Sequence, residues 1–334
     1  MPGQGWSGSF SFPAARVQNG CKSGEGKLGV VLPKRAGLGA AVIRSALVTS
    51  VSALVFAGCA QTPLQDELIT YQAASVVKTE GADCAVAWPG VTKRGDLTGA
   101  LDASGFSLVS WNIHKAEDNR WPTEFAALTE NQDLVLVQEA HLTPSFRGAL
   151  EQTRLEWAMA RAFDMGNAEV GVLTASKSAA DKACLLRHPE PWINLPKSTL
   201  VTEHSLDGSH ENLLLANLHG VNFTLGTVEF AQQLESVAAV LADHDGPLIL
   251  AGDFNDWNAE RTRILETITG RLGMKPLELK DDVRSRHLGR PVDHVFYRNL
   301  DLLHATSLEA ASSEHNALQV RFRVPGDPRL AAGI

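Results

Sequence analysis

The chain has 334 residues, of which 44% are hydrophobic and 20% are charged, a composition typical of a folded globular protein. Its formal net charge of −8 argues against high-affinity binding to duplex DNA, because proteins that neutralise many phosphates are usually basic. With only two tyrosines, the chain also offers no evident aromatic platform for stacking single-stranded bases.

The N-terminal region resembles a secretory signal. An apolar run over 46–58 follows basic residues at 34, 35 and 44 and ends at Cys59. Because this run is short for a membrane span, a signal is favoured over an anchor. The junction before Cys59 resembles that of a bacterial lipoprotein, which predicts a lipidated cysteine, a membrane tether and an outer-membrane location facing the periplasm. A membrane anchor, an unprocessed apolar patch and a cytoplasmic protein with a mistaken start remain alternatives.

The chain is predicted to contain one catalytic domain. We expect a signal or extension at 1–58, a polar tether and lead-in at 59–104, the domain at 105–326 and a tail at 327–334. No internal repeat is visible in the sequence.

The remaining cysteines, Cys84 and Cys184, leave two interpretations open. They can pair in an oxidising compartment, or they can be two separate buried thiols, since sequence does not show proximity. No cysteine spacing typical of a metal site occurs.

From residue 106 onward, apolar strands alternate with helices. Strands are predicted at 106–113, 133–138, 170–173, 213–217, 247–251, 292–297 and 318–324. A short helix is predicted after Pro122, and the best helix spans 227–243, where apolar residues recur at helical spacing and Thr227 can cap the first turn. Strands that are apolar throughout imply sheets covered on both faces.

Polar side chains follow these strands. The run Leu248-Ile249-Leu250-Ala251 leads directly into Gly252-Asp253-Phe254-Asn255, and comparable residues end other strands. They are Asn112, His114, Lys115, Glu139, Asn217, His219, Asp293, His294, Glu314, His315 and Asn316. Taken singly, each such residue is more often a turn former or a solvated strand end.

Together these residues suit one kind of chemistry. Carboxylate and amide oxygens are the ligands that Mg²⁺ or Mn²⁺ prefers, and no thiol cluster competes with them. Phosphoester hydrolysis needs an oriented water, charge neutralisation on the phosphoryl oxygens and help for the leaving oxygen. Carboxylates, imidazoles and amides can supply all three.

The motifs resemble those of the endonuclease/exonuclease/phosphatase superfamily, which includes abasic-site endonucleases, DNase I, inositol phosphate phosphatases and bacterial sphingomyelinases. The resemblance covers residues 106 to about 324. Its motifs are Ser110-Trp111-Asn112-Ile113, Val137-Gln138-Glu139, Asn217-Leu218-His219, Gly252-Asp253-Phe254-Asn255, Val292-Asp293-His294 and Ser313-Glu314-His315-Asn316. It implies an α/β fold, a four-layer α/β/β/α sandwich with two mixed, mostly antiparallel sheets face to face and helices outside. Segments 171–176 and 222–226 mark an uncharacterised bacterial branch.

The resemblance implies a Mg²⁺ or Mn²⁺ site. Glu139 would be the direct carboxylate ligand and Asn112 would lie beside it. Glu314 stands where the family usually has Asp at a metal or neighbouring position, and its extra methylene would shift the carboxylate. Lys115 would add a positive charge near the phosphate or be a solvated lysine.

The resemblance also implies catalytic roles. Asp253 would position or deprotonate the attacking water and would be held by Asn255. His219 would hydrogen-bond a phosphate oxygen, and His315 would contact the scissile phosphate. Asp293 would orient the ring of His315 through its other nitrogen.

Some expected features have no clear counterpart. No tyrosine matches the one that contacts phosphate in abasic-site endonucleases, and Thr174 and Ser176 lie in that region. The residues Trp157, Trp192 and Trp257 either shape a pocket or pack in the core, which is the commoner use of tryptophan.

These observations predict a metal-dependent phosphoester hydrolase, of nuclease or phosphodiesterase type ahead of phosphomonoesterase. The substrate would be a nucleic acid, a nucleotide or a phospholipid head group, and no protein partner is implied. The alternative is a surface lipoprotein that uses a catalytically weakened fold for binding.

Overall fold

The computed structural model describes residues 60–72, 74–84 and 99–326, and the predictions for the signal, Cys59 and the tail lie outside them. Within these residues, two β-sheets pack face to face and helices cover the outer face of each sheet. The four-layer α/β/β/α sandwich implied by the resemblance is therefore confirmed.

The elements have the following bounds. The strands are β1 (Ala60–Gln61), β2 (Glu67–Gln72), β3 (Ser75–Glu80), β4 (Leu101–Asp102), β5 (Phe106–Asn112), β6 (Leu134–His141), β7 (Glu156–Met165), β8 (Ala168–Ser176), β9 (Lys182–Pro189), β10 (Pro196–Asp207), β11 (Asn212–His219), β12 (Leu248–Asp253), β13 (Lys275–Pro276), β14 (Arg286–His287), β15 (Arg290–Pro291), β16 (Asp293–Arg298), β17 (Asp301–Leu308) and β18 (Ala317–Arg323). The α-helices are α1 (Trp121–Thr129), α2 (Pro144–Thr153), α3 (Val228–Leu241) and α4 (Ala259–Arg271).

Both sheets are mixed. The first sheet has the order β17-β18-β5-β6-β8-β7-β2-β3, with β1 paired to β7. The second has the order β13-β16-β12-β11-β10-β4, with β9 paired to β10. Most pairs are antiparallel, but β5 with β6, β11 with β12 and β4 with β10 run parallel. The carboxyl ends of β5 and β6 therefore meet at one edge of the first sheet, and those of β11 and β12 at one edge of the second.

The packing explains why the central strands are apolar along their whole length. In β6, Leu134 and Leu136 point between the sheets, whereas Val135 and Val137 point outward. Alternate side chains of a strand face opposite ways, so both faces of β6 are buried. Helices α1 and α2 cover the outer face of the first sheet, and α3 and α4 cover that of the second.

The structure differs from the expectations at several elements. The helix predicted at 227–243 is α3, and Thr227 is its N-cap residue as predicted, but its side chain makes no capping hydrogen bond. Helices α2 and α4 were not predicted, although Thr143 and Asn258 cap them through side-chain hydrogen bonds. No helix in the described ranges is long and apolar enough to cross a membrane.

The segment expected to be a polar tether contributes strands in its described part. Strand β2 pairs with β7, and Leu68 and Ile69 of β2 are fully buried. Nearby, Cys84 forms a disulfide with Cys184 of β9, with Cα atoms 5.0 Å apart. Of the two interpretations left open for these cysteines, the structure has the paired one.

Candidate active site

Strand register places three polar side chains in a row across the second sheet. His219 of β11 lies opposite Asp253 of β12, and Asp253 lies opposite Asp293 of β16. All three residues are buried. Residues that are far apart in sequence therefore meet at the edge where β11 and β12 end.

Two glycines allow neighbouring backbone segments to approach each other closely at this edge. Gly252 has a φ of +138°, and a Cβ there would lie 2.0 Å from the carbonyl oxygen of Leu218. A Cβ on Gly220 would lie 2.3 Å from the carbonyl oxygen of Phe254. Only glycine fits such close approach, which explains the small residue before Asp253.

Asp253 is hydrogen-bonded to a residue of the other sheet. Its Oδ2 accepts a hydrogen bond of 3.0 Å from Nδ2 of Asn112, which ends β5 in the first sheet. Its Oδ1 accepts one of 3.0 Å from the backbone N–H of Asn255, whose own φ is +52°. Burial and the charge of Asp293 raise the pKa of Asp253 to about 6, against the opposing charge of His315.

His315 forms a carboxylate–imidazole pair with Asp293. The ring Nδ1 lies 2.8 Å from Oδ2 of Asp293, and Nε2 lies 3.7 Å from Oδ2 of Asp253. Burial lowers the pKa of His315, but the charges of Asp293 and Asp253 outweigh it and raise the pKa to about 10. The ring is therefore a cation at neutral pH, and the expected pairing of these residues is present in the geometry.

Glu139 reaches the same region from the first sheet. It lies in an irregularity of the β6–β8 pairing, and its φ of +53° turns the carboxylate out of the strand alternation. Its Oε1 lies 3.7 Å from Nε2 of His219, and its Oε2 forms an ion pair with Lys115. Burial raises the pKa of Glu139, but the charges of Lys115 and Lys197 hold it well below its usual range.

Lys197 was not predicted from the sequence. It lies at the start of β10, with Nζ 3.0 Å from Nε2 of His219 and 3.9 Å from Oε1 of Glu139. Burial and the charge of Lys197 hold the pKa of His219 well below its usual value, so the ring is neutral. Because an ammonium group only donates hydrogen bonds, Nε2 of His219 accepts here. No motif in the sequence marks this lysine.

Arg284 was also missed. Its Nη1 donates to the backbone carbonyl of Asp293 at 3.1 Å and lies 3.3 Å from Nδ1 of His294. Two hydrogen bonds of 2.9 Å tie its guanidinium to Asp282. His294 in turn lies 2.9 Å from buried Asp256. This network fixes the start of β16, and with it the position of Asp293.

Other predicted residues lie under or outside the site. Asn217 is fully buried and links the sheets, since its Oδ1 accepts from Gln138 at 2.7 Å and its Nδ2 donates to the carbonyl of Leu173 at 2.9 Å. Glu314 is exposed, and its charge acts on Lys115. Its metal role stays a prediction.

Of the two expected uses of the tryptophans, core packing is present at Trp157. Trp157 is buried and stacks on Tyr71 at 5.7 Å between ring centroids, so it packs in the core. Trp257 donates to Oδ1 of Asn222 at 2.9 Å, and Trp192 is exposed.

The donor set suits a hard divalent cation. Glu139 and Asp253 both lie within 3.7 Å of Nε2 of His219, so carboxylates from both sheets face one small region. Ligand atoms of Asp253, Asp293 and His315 lie within 4.8 Å of one another. Since His315 Nδ1 already bonds Asp293, this trio suits a cation less well than the carboxylate of Glu139, because Mg²⁺ needs only one or two carboxylates and keeps several waters.

The chain is similar in sequence to a known protein family. The model of the endonuclease/exonuclease/phosphatase family matches residues 109–313. A UPF0294 protein of Vibrio cholerae is 39% identical over 226 residues, which are 67% of this chain and 80% of that protein.

Two solved structures share the fold. An endonuclease/exonuclease/phosphatase from Bacteroides vulgatus has a TM-score of 0.54 and 13% identity, covering 66% of this chain and 99% of that one. ANGEL2, described as a 2′,3′-cyclic phosphatase, has a TM-score of 0.52 and 15% identity, covering 68% and 97%.

Proposed function

The chain belongs to the endonuclease/exonuclease/phosphatase family and to the UPF0294 group of bacterial proteins, and on that basis we propose that it hydrolyses a phosphodiester with the help of Mg²⁺ or Mn²⁺. Members of this superfamily include nucleases, phosphatases and phosphodiesterases. The observation that carries the proposal is the hydrogen bond between Asn112 and Asp253, which come from different sheets, beside His315. Glu139 faces the same region, since it and Asp253 both lie within 3.7 Å of Nε2 of His219.

The proposed roles follow from charge and hydrogen bonding. Asp253, held by Asn112 and Asn255, is aimed at an attacking water and takes its proton. The His315 cation stabilises the negative charge that develops on the phosphoryl oxygens, and Asp293 keeps its ring in position. Glu139 and Asn112 would hold the divalent cation, which supplies Lewis-acid polarisation of a phosphoryl oxygen.

Lys115 and Lys197 add two further positive charges to the site, beside that of His315. Both ammonium groups face Glu139, and Lys197 is directed by His219. Their fixed charges favour an anionic substrate because the groups are largely withdrawn from water. For His219 to donate a hydrogen bond to a phosphate oxygen, as the resemblance implies, Nε2 would have to release Lys197 and carry a proton itself.

Export to the cell envelope is part of the proposal. The disulfide between Cys84 and Cys184 suits an oxidising compartment. The apolar run before Cys59 suits a signal with lipid attachment at that cysteine. Fractionation of cells that express the full chain tests this part, because a protein recovered wholly in the cytoplasm would contradict it.

Activity measurements test the chemistry. We would assay the purified full chain with Mg²⁺, Mn²⁺ or a chelator on bis-p-nitrophenyl phosphate, p-nitrophenyl phosphate, plasmid DNA and sphingomyelin. Metal-dependent cleavage of a diester is expected. Asp253→Asn should lower it by at least about 100-fold, since general base catalysis contributes that much. The exposed Asp243→Asn is the control. Equal activity of Asp253→Asn and the parent, or faster cleavage of the monoester, would contradict the proposal.

A further inference from the structure

Two loops beside the candidate site expose apolar side chains. The first, at 190–195, joins β9 to β10, and the second, at 220–227, follows β11. The relative exposures are 63% for Trp192, 47% for Phe223, 75% for Leu225 and 62% for Val228, the first residue of α3. We call these four side chains the loop patch.

The second loop is held in place from below. Buried Glu190 accepts hydrogen bonds through Oε1 from the backbone N–H groups of Asn222 and Phe223. Arg261, also fully buried, donates to the carbonyl of Val221 at 2.7 Å and to Oγ1 of Thr224 at 2.7 Å. The apolar side chains are therefore presented outward by an ordered backbone.

The loop patch adjoins the proposed chemistry. His219 ends β11 directly before the second loop, and the carbonyl of Gly220 accepts a hydrogen bond of 3.0 Å from Nδ2 of Asn255. Lys197 follows the first loop by two residues. A surface that contacts the patch is therefore next to the site.

The composition of the loops discriminates between partners. Apart from buried Glu190, neither 190–195 nor 220–228 contains a charged residue. A strand of nucleic acid would leave its phosphates without basic partners there, and affinity for nucleic acid comes largely from such partners. Exposed tryptophan, phenylalanine and leucine on uncharged loops instead match the boundary between lipid head groups and acyl chains.

The start of the described chain lies near the same loops. Ala60 and Leu195 pack against one small buried cluster that contains Phe163 and Val170. The apolar run 46–58 and Cys59 come directly before Ala60 in the sequence. The segment proposed to reach the membrane therefore joins the fold beside the first loop.

We propose that the loop patch docks on a lipid bilayer and presents the site to phosphoesters in the head-group layer. The substrate class is then a membrane phospholipid. The substrate part depends on the proposed hydrolase function, whereas the docking part does not.

Vesicle partition tests the docking. We would use the full chain carrying Cys59→Ser, to prevent lipidation, and sediment it with vesicles of phosphatidylethanolamine and phosphatidylglycerol. Replacing Trp192, Phe223 and Leu225 by serine should lower partition by at least about tenfold, because three large apolar groups no longer leave water. A variant with Val76, Val77 and Leu303 replaced by serine is the control, since these side chains are 47%, 50% and 45% exposed elsewhere.

Activity assays then separate the two parts. The loop variant should cleave soluble bis-p-nitrophenyl phosphate like the parent, which shows that it is folded, but should lose at least about tenfold of its rate on vesicle phospholipid. Equal partition of the loop variant and the parent overturns the docking. Loss of single-stranded DNA binding with unchanged partition also overturns it. Patch-dependent partition without hydrolysis of any phosphoester supports docking and refutes the hydrolase instead.

Discussion

Nδ2 of Asn112 donates a 3.0 Å hydrogen bond to Oδ2 of Asp253, and this contact joins the ends of strands that belong to different sheets. The residues are 141 positions apart in sequence. The site is thus made where the two sheets meet, and its geometry depends on how they pack.

The loss of activity at low pH should follow the protonation of Asp253. Burial and Asp293 raise its pKa to about 6, and only the deprotonated carboxylate can accept a proton from water. The rate constant kcat/KM should therefore fall tenfold for each pH unit below the pKa. A bound cation lowers this midpoint, so the profile is best measured at several Mn²⁺ concentrations. A rate that is flat from pH 7 down to pH 4 would contradict the assignment.

The Asp293→Asn substitution should remove the charge that raises the pKa of His315 and should loosen the orientation of its ring. Burial lowers the pKa of His315 and the charges of Asp293 and Asp253 raise it to about 10, so losing the nearer carboxylate should lower the pKa towards its ordinary value. The rate should fall by at least about 100-fold because the imidazolium is less stabilised and the ring is no longer oriented.

Imidazole NMR signals would follow the titration of His315, and the exposed Asp281→Asn is the control. If His315 titrates identically in Asp293→Asn, the carboxylate–imidazole pair has no electrostatic role.

The Lys197→Met substitution should both lower the rate of hydrolysis and raise the pKa of His219. Removing one donor to the phosphoryl oxygens costs about 100-fold in rate. Burial is the main reason why the pKa of His219 is low, and Lys197 lowers it further, so the pKa should rise part of the way towards normal. Kinetics and NMR titration measure the two effects.

Lys177→Met is the matched control, since this lysine pairs with Asp133 and its side chain is 54% exposed. Lys197→Arg should retain part of the rate. A full rate in Lys197→Met would exclude a role for this residue at the phosphate.

Mg²⁺ or Mn²⁺ should stabilise the protein through Glu139. At 100 times the dissociation constant, ligand linkage supplies about 2.7 kcal/mol, which corresponds to about 5–10 °C in Tm for a domain of this size. Differential scanning fluorimetry with and without metal measures the shift. Glu139→Gln should abolish it, whereas Glu266→Gln, exposed on α4, should keep it. An unchanged shift in Glu139→Gln would place the cation elsewhere.

Much of the fold was predictable because its signals are local. Strands β5, β6, β8, β11, β12, β16 and β18 were predicted from apolar runs, and α3 from helical spacing. The polar residues that follow these strands could also be identified in the sequence, because ligands bind at the carboxyl ends of strands in such sheets. The layered fold came from the resemblance that these residues together support.

Weaker local signals were missed or misread. The segment 67–80 was expected to be tether, yet it forms β2 and β3, because two buried residues of β2 find a place against β7. Such pairing depends on a partner strand about 90 residues away, which the short segment itself does not reveal.

The side chains available for a site could be identified from the sequence, because each ends a recognisable strand or motif: Asp253, Asn255, Asp293, His315, His219, Asn112 and Glu139. The contacts among them, the presence of Lys197 and Arg284, the pairing of Cys84 with Cys184 and the burial of Asn217 became known from the folded structure. These features depend on strand register and sheet packing, which bring distant residues within hydrogen-bond reach and cannot be inferred from any single segment.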